Sequence, residues 1–95
     1  MNRFVLSEIA LRDLNQIYDY IVERNPKAAN DMLDQFENAF QLLAQSPGIG
    51  HVRTDLTQQN VRFWPVHSCL VIYQETNPLR IVRILSGFQD IIRML

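Results

Sequence analysis

Apolar and polar side chains alternate with two different periods, which divide the chain into a helical first half and a strand-rich second half. Residues 4–6 form a short apolar run that predicts a first strand, and Ser7 is suited to cap a following helix. Two segments, about 8–24 and 26–45, then carry apolar residues every three or four positions, which predicts amphipathic helices. Asn25, placed before a proline, predicts a tight corner and hence an antiparallel helical hairpin. The residues of the first helix expected to face water are Arg12, Asp13, Gln16, Asp19 and Glu23.

The pattern changes to short strand-like runs after a cluster of helix-breaking residues at 46–50. Three runs, 60–66, 69–75 and 80–85, are separated by short polar turns, which predicts an antiparallel meander. In the last run, arginines and apolar residues alternate without giving one clean buried face. Residues 88–95 carry apolar side chains at a nearly helical spacing, which predicts a short C-terminal helix that must dock to be ordered.

The expected fold class is α+β, with elements in the order β-α-α-β-β-β. An N-terminal strand precedes an antiparallel helical hairpin packed on a small, mainly antiparallel sheet, and a short C-terminal helix follows. A length of 95 residues, of which 47% are apolar, suits a single domain spanning residues 1–95. The single cysteine, Cys69, lies in an apolar run, so we expect a buried thiol and no internal disulfide.

Charge and hydropathy narrow the expected environment and partners. No apolar stretch approaches the ~18 residues that span a bilayer, and the N-terminus resembles no signal peptide, so we expect a cytoplasmic protein without membrane contact. The formal charge of −1 gives no general attraction for nucleic acid, so we expect no direct DNA binding by the chain alone. We expect neither a cofactor nor a metal site.

Four arginines in the strand-rich half are candidates for a cationic contact surface. They could bind a nucleic acid or the acidic residues of a partner protein. They could equally be solvated or paired with carboxylates such as Asp55, Glu75 or Asp90. The four are Arg53, Arg62, Arg80 and Arg83.

Aromatic and apolar residues supply the other candidate contacts. Trp64 adjoins Phe63, so their rings point to opposite faces, and an exposed ring would be a contact site unless the tail or the hairpin covers it. The apolar tail needs covering, either by a partner or by folding back on its own sheet. Asp90 could act as a functional carboxylate, or it could cap the tail helix or pair with an arginine.

Short motifs, each explicable alone as capping, turn or core chemistry, keep one order along nearly the whole chain. They are Leu6-Ser7 with Ala10 and Asp13-Leu14, Ile17-Tyr18-Asp19-Tyr20-Ile21, Asn25-Pro26, Arg53-Thr54-Asp55-Leu56, Arg62-Phe63-Trp64-Pro65-Val66, Leu70-Val71-Ile72-Tyr73 and Ile81-Val82-Arg83-Ile84-Leu85 with Gly87 and Asp90. In order and spacing they resemble the RelE/ParE toxin superfamily, and within it the ParE branch. Family members commonly have histidine and arginine in the last motif where this chain has Ser86 and Gln89.

The resemblance implies the toxin of a type II toxin–antitoxin module, which acts by binding and needs no catalytic residue of its own. ParE proteins inhibit DNA gyrase, so that growth arrests. A ParD-type antitoxin neutralises them by wrapping around them, and modules of this kind serve in plasmid stabilisation. The chain is therefore expected to form a hetero-oligomer with a ParD-like antitoxin. The candidate partner or target contacts are Arg53, Arg62, Trp64, Arg83, Ser86, Gln89, Asp90, Ile91, Ile92, Arg93, Met94 and Leu95.

RelE relatives instead cleave messenger RNA on the ribosome, a reaction that needs cationic groups and a proton donor or acceptor around the phosphate. The only lysine, Lys27, lies at a helix start, and His51 and His67 lie in or beside predicted turns, away from the last motif. We therefore rank gyrase inhibition above RNA cleavage by the motif arginines. A third hypothesis is an inactive homologue that keeps only antitoxin binding, through changes such as Ser86 and Gln89.

Overall fold

The computed structural model describes residues 3–86 of the chain. The predicted α+β fold and the order β-α-α-β-β-β are confirmed, with one added 3-10 turn after the second helix. The predicted C-terminal helix lies outside the described residues. The elements are β1 (Phe4–Leu6), α1 (Glu8–Val22), α2 (Pro26–Gln45), the 3-10 turn (Pro47–Ile49), β2 (Arg62–Val66), β3 (Cys69–Gln74) and β4 (Leu79–Ser86).

Both helices begin at the capping residues that the sequence predicts. The Ser7 hydroxyl accepts a hydrogen bond from the Ala10 N–H at 3.0 Å. The side-chain oxygen of Asn25 accepts one from the Ala28 N–H at 3.1 Å. Each cap satisfies a backbone donor that a helix start leaves without an intrahelical partner, so the hairpin corner is fixed locally. α1 ends at Val22, slightly before the predicted end.

The four strands form one sheet in the order β1-β4-β3-β2. β2 pairs with β3, and β3 with β4, in antiparallel fashion, which confirms the predicted meander. β1 instead lies parallel to β4, with Val5 opposite Arg80. The first strand is therefore placed beside the last one, and β1 and β2 are the two edges of the sheet.

A β-bulge in β4 explains why this strand has no simple alternation of buried and exposed residues. Tyr73 lies opposite Ile81, but the residue before it lies opposite Arg83, so Val82 is an extra residue in β4. The extra residue shifts by one position the alternation of side chains between the two faces of the sheet. As a result, Ile81 and Ile84 both join the core against the helices although they are three positions apart.

The sheet buries apolar residues on both faces. The main core lies between the sheet and the two helices, and Tyr73, Phe36 and Leu43 are among its fully buried side chains. A second, smaller cluster contains Val61, Phe63, Ile72 and Leu85, with Leu56 and Leu70 packed against it. Within the described part of the chain, no helix is long and apolar enough to cross a membrane.

Candidate interaction surfaces

A groove of about 850 Å³ opens between the helical hairpin and the end of the sheet where β3 begins and β4 ends. Ile17, Ile21 and Met32 contribute apolar side chains from the two helices, while His67 and Ser86 lie at the sheet side. This volume and this mixture of apolar walls with a few polar groups are typical of binding sites. We call it the hairpin groove.

Asp13 and Arg83 form an ion pair in the hairpin groove. The Asp13 carboxylate accepts hydrogen bonds from Arg83 Nε at 2.8 Å, from Arg83 Nη2 at 3.1 Å and from the Ile84 N–H at 3.0 Å. The side chain of Asp13 is only 12% exposed, so its assignment to the water-facing side of the helix was wrong. The pair neutralises the one motif arginine that lines the groove.

Polar groups at the start of α1 form hydrogen bonds to the backbone of β4, as a neighbouring strand would. Beyond the end of β1, the Ser7 N–H donates to the Ile81 carbonyl at 2.9 Å, and the Ser7 hydroxyl donates to the Val82 carbonyl at 2.8 Å. The Asp13 carboxylate then accepts from the Ile84 N–H, two residues further along β4 than Val82. On the side away from β3, the bulged part of β4 is thus bonded to α1 rather than to another strand.

The other two motif arginines are also paired with carboxylates. Arg53 makes two hydrogen bonds to Asp55, of 2.9 and 2.7 Å, which raise the pKa of Arg53 and lower the pKa of Asp55. Arg62 binds Glu75 and donates to the Gly50 carbonyl at 2.8 Å; the bond to Glu75 raises the pKa of Arg62. The sequence interpretation that treats these arginines as paired therefore describes both of them.

Trp64 is partly buried against the main core and stacks on His51, with ring centroids 6.2 Å apart and planes at 14°. Phe63 is 2% exposed and belongs to the smaller cluster, so the two rings point to opposite faces as expected. Neither aromatic ring is a large exposed contact on the described surface.

Tyr20 is the most exposed aromatic side chain of the hairpin groove, at 63%. The Arg24 guanidinium lies 3.9 Å from the centre of its ring and donates to its carbonyl at 2.8 Å. This cation–π contact holds the ring at the rim of the groove. Asp13 was expected only to face water and was not predicted as a site residue, although it lies in a motif of α1.

Cys69 lies in the groove lining and is buried, as predicted from its apolar run. Burial raises the pKa of its thiol. Ser86 is exposed at the sheet end of the groove and is the last described residue. The remaining candidate contacts lie outside the described residues: Gln89, Asp90, Ile91, Ile92, Arg93, Met94 and Leu95.

The edge of the sheet at β2 is closed to a further strand. Phe63 exchanges two backbone hydrogen bonds of 2.8 Å with His51, which already occupies this side. Pro65, which is two residues further along and directed to the same side, has no N–H to donate. A partner strand would find few hydrogen-bonding groups here.

The opposite edge, at β1, is arranged differently. The Arg3 carbonyl accepts from the Leu79 N–H at 3.0 Å, and the Ser7 N–H bonds to β4 at 2.9 Å. Because alternate residues of a strand direct their backbone groups to opposite sides, Phe4 and Leu6 direct theirs away from the sheet. No strand lies beyond β1 in the described part of the chain.

The three motif arginines are distributed over different parts of the described surface. Among residues 3–86, the hairpin groove contains Arg83 but neither Arg53 nor Arg62. The described residues also contain no group of three or more His, Cys, Asp and Glu that could hold a metal ion. Among the described residues, the motif arginines are therefore not gathered in the hairpin groove.

The described elements define a small α+β protein with a helical hairpin on a four-stranded sheet. The family model described as "ParE toxin of type II toxin-antitoxin system, parDE" matches residues 4–91. The chain therefore belongs to the ParE toxin family of type II toxin–antitoxin systems.

A solved structure supports the fold. A chain of the "Chromosomal ParDE TA system from P. aeruginosa" matches with a TM-score of 0.75 and 21% sequence identity, over 93% of this chain and 98% of that chain. At this identity the likeness concerns the fold alone. No curated protein sequence matches the chain significantly.

Proposed function

We propose that this ParE-family chain inhibits DNA gyrase by protein binding and that a ParD-like antitoxin neutralises it. Family membership supports the module, and the pairing of the arginines supports the binding mode. Arg53, Arg62 and Arg83 are each held by a different carboxylate. Cleavage of RNA would need cationic groups gathered around one phosphate, whereas a protein target makes no such demand.

A supercoiling assay with purified gyrase tests this function. We expect the chain to block supercoiling at a stoichiometric ratio and the cognate antitoxin to restore it. Full supercoiling at a large excess of the chain would contradict the proposal. In that case, new A-site cuts on translating ribosomes would assign RNA cleavage, and antitoxin binding without any toxicity would assign an inactive homologue.

The antitoxin is proposed to extend the sheet at β1. Phe4 and Leu6 direct their backbone donors and acceptors outwards, and the other edge is closed by His51 and Pro65. An extended segment of a partner can pair with such an edge, because main-chain hydrogen bonds supply affinity and alternate side chains supply specificity.

Proline substitution tests this mode of capture. Leu6→Pro removes an outward N–H and a side chain, whereas Leu6→Ala removes the side chain alone. We expect the proline variant to bind the antitoxin at least about fivefold more weakly than the alanine variant, as for the loss of one backbone hydrogen bond. Equal affinities of the two folded variants, measured by calorimetry, would place the antitoxin elsewhere.

The candidate contact residues fall into two groups. Arg53, with a side chain 43% exposed, and Ser86 are accessible, so we propose that they contact a partner or target directly. Arg62, Trp64 and Arg83 are engaged within the protein, and we propose that they shape the surface instead. The candidates in the tail stay proposed contacts; those on its apolar side are available to a partner only when the tail does not bury them within the protein.

A further inference from the structure

The hairpin groove presents apolar walls at the point where the described chain ends. Ile17, Ile21 and Met32 line it, and Tyr20 stands at its rim. Ser86, the last residue of β4, belongs to the same lining. Whatever follows Ser86 in the chain therefore starts at the mouth of the groove.

The sequence after Ser86 has the pattern of a segment with one apolar side. Phe88, Ile91, Ile92 and Leu95 are spaced so that they share one face of a helix, whereas Gln89, Asp90, Arg93 and Met94 fall outside that face. A helix of this length is marginal by itself in water, so it is ordered only when its apolar face is buried.

We propose that residues 88–95 dock in the hairpin groove through this apolar face. As a helix, the segment is about 12 Å long. Gly87 precedes the segment, and a residue without Cβ adopts turn conformations readily. A tethered segment has an effective concentration of about millimolar at the groove, which favours it over a free peptide or a second copy.

Cys69 provides a built-in reporter for this docking. It is the only cysteine of the chain, it lines the groove, and it is 7% exposed. The reporter reaction is that of the thiol with a disulfide reagent such as DTNB, under conditions in which circular dichroism shows a folded chain. If the tail covers the groove, the thiol reacts mainly after the tail has left it. Any change that weakens docking should therefore accelerate the reaction.

The decisive variants change only one side of the tail. Ile91→Asn with Ile92→Asn removes two of the four apolar side chains of the docking face, and we expect it to raise the rate of Cys69 labelling by about tenfold or more. Asp90→Asn with Arg93→Gln changes the polar side by as many residues and should leave the rate within about twofold. Deletion of residues 87–95 should raise the Cys69 labelling rate at least as much as Ile91→Asn with Ile92→Asn does.

A second pair of variants tests the groove wall. Tyr20→Ala should accelerate labelling, whereas Leu11→Ala, on the same helix but outside the groove lining, should not. Equal labelling rates for the apolar and polar tail variants would overturn the proposal. So would protection of Cys69 that grows with protein concentration, since a second copy would then be the cover. None of these measurements depends on gyrase or on an antitoxin.

Discussion

A single hydroxyl group fixes the segment that joins the helices to the sheet. The Tyr73 hydroxyl donates to the Pro47 carbonyl at 2.6 Å and accepts from the Gly50 N–H at 2.9 Å, while the whole residue is fully buried. Arg62 donates to the carbonyl of the same glycine at 2.8 Å. The turn after α2 is thus held to β2 and β3 by these side chains, next to the backbone bridge between His51 and Phe63.

Gly50 should be the least replaceable of the described glycines. A Cβ atom there would collide with the Tyr73 hydroxyl and ring, whereas a Cβ at Gly48 has no atom within 4 Å. We expect Gly50→Ala to lower the free energy of unfolding by about 1–3 kcal/mol, as overpacking does. Gly48→Ala is the matched control and should change it little. Equal urea midpoints for the two variants would contradict the close packing.

The buried phenol also predicts the stability of the protein at alkaline pH. Burial raises the pKa of Tyr73 above its ordinary value of 10.0. The unfolded chain therefore loses the proton first, so the contribution of Tyr73 to stability is constant below about pH 10 and falls as the pH rises through the folded pKa. Tyr73→Phe should be less stable near neutral pH but should lose stability less steeply above about pH 10. Urea unfolding at several pH values measures both, with Tyr20→Phe, at an exposed site, as control.

At the scale of elements, the Asp13–Arg83 pair connects α1 to β4. Both partners come from motifs that sequence analysis noted, but they lie 70 positions apart. Helical periodicity places Asp13 on the polar side of α1 and says nothing about a carboxylate that accepts from a bulged strand. Local patterns predicted the elements, whereas this contact depends on how the elements pack.

A double-mutant cycle measures the strength of this connection. The side chains are 12% and 25% exposed, so the coupling should lie between that of surface pairs and that of fully buried pairs, at about 2 kcal/mol. Asp13→Ala should destabilise more than Asp13→Ala with Arg83→Ala, since the single change leaves a cation without its carboxylate. A coupling energy below about 0.5 kcal/mol would mean that the pair acts as a surface contact.

The strands show where prediction from local pattern ends. Caps at Ser7 and Asn25 and the turns of the meander were predictable, because each depends on a few neighbouring residues. The order of buried and exposed residues in β4 was not predictable, since the bulge at Val82 depends on pairing with β3. The strand boundaries also differ slightly: β4 extends from Leu79 to Ser86, beyond the predicted run.

At the scale of the whole molecule, the strand order decides which surfaces remain for partners. No local pattern predicts that β1 lies parallel to β4, yet this placement gives the sheet one open edge and one closed edge. The hairpin groove likewise forms between elements that are distant in sequence, with Ile17 and Met32 on one side and Ser86 on the other. The family was predictable because its motifs keep their spacing, whereas the surfaces depend on their assembly.

The salt dependence of target binding should follow from the charge of the whole molecule. The formal charge is −1, and the motif arginines are paired, so few counterions are available for release on binding. We expect the dissociation constant for gyrase to change less than about threefold between roughly 50 and 200 mM salt. A chain that gripped about four phosphates would lose roughly 50-fold over the same range. Titrations of gyrase subunits and of an RNA oligonucleotide in matched buffers separate the two cases, and a steep slope with tight RNA binding would favour the ribonuclease hypothesis.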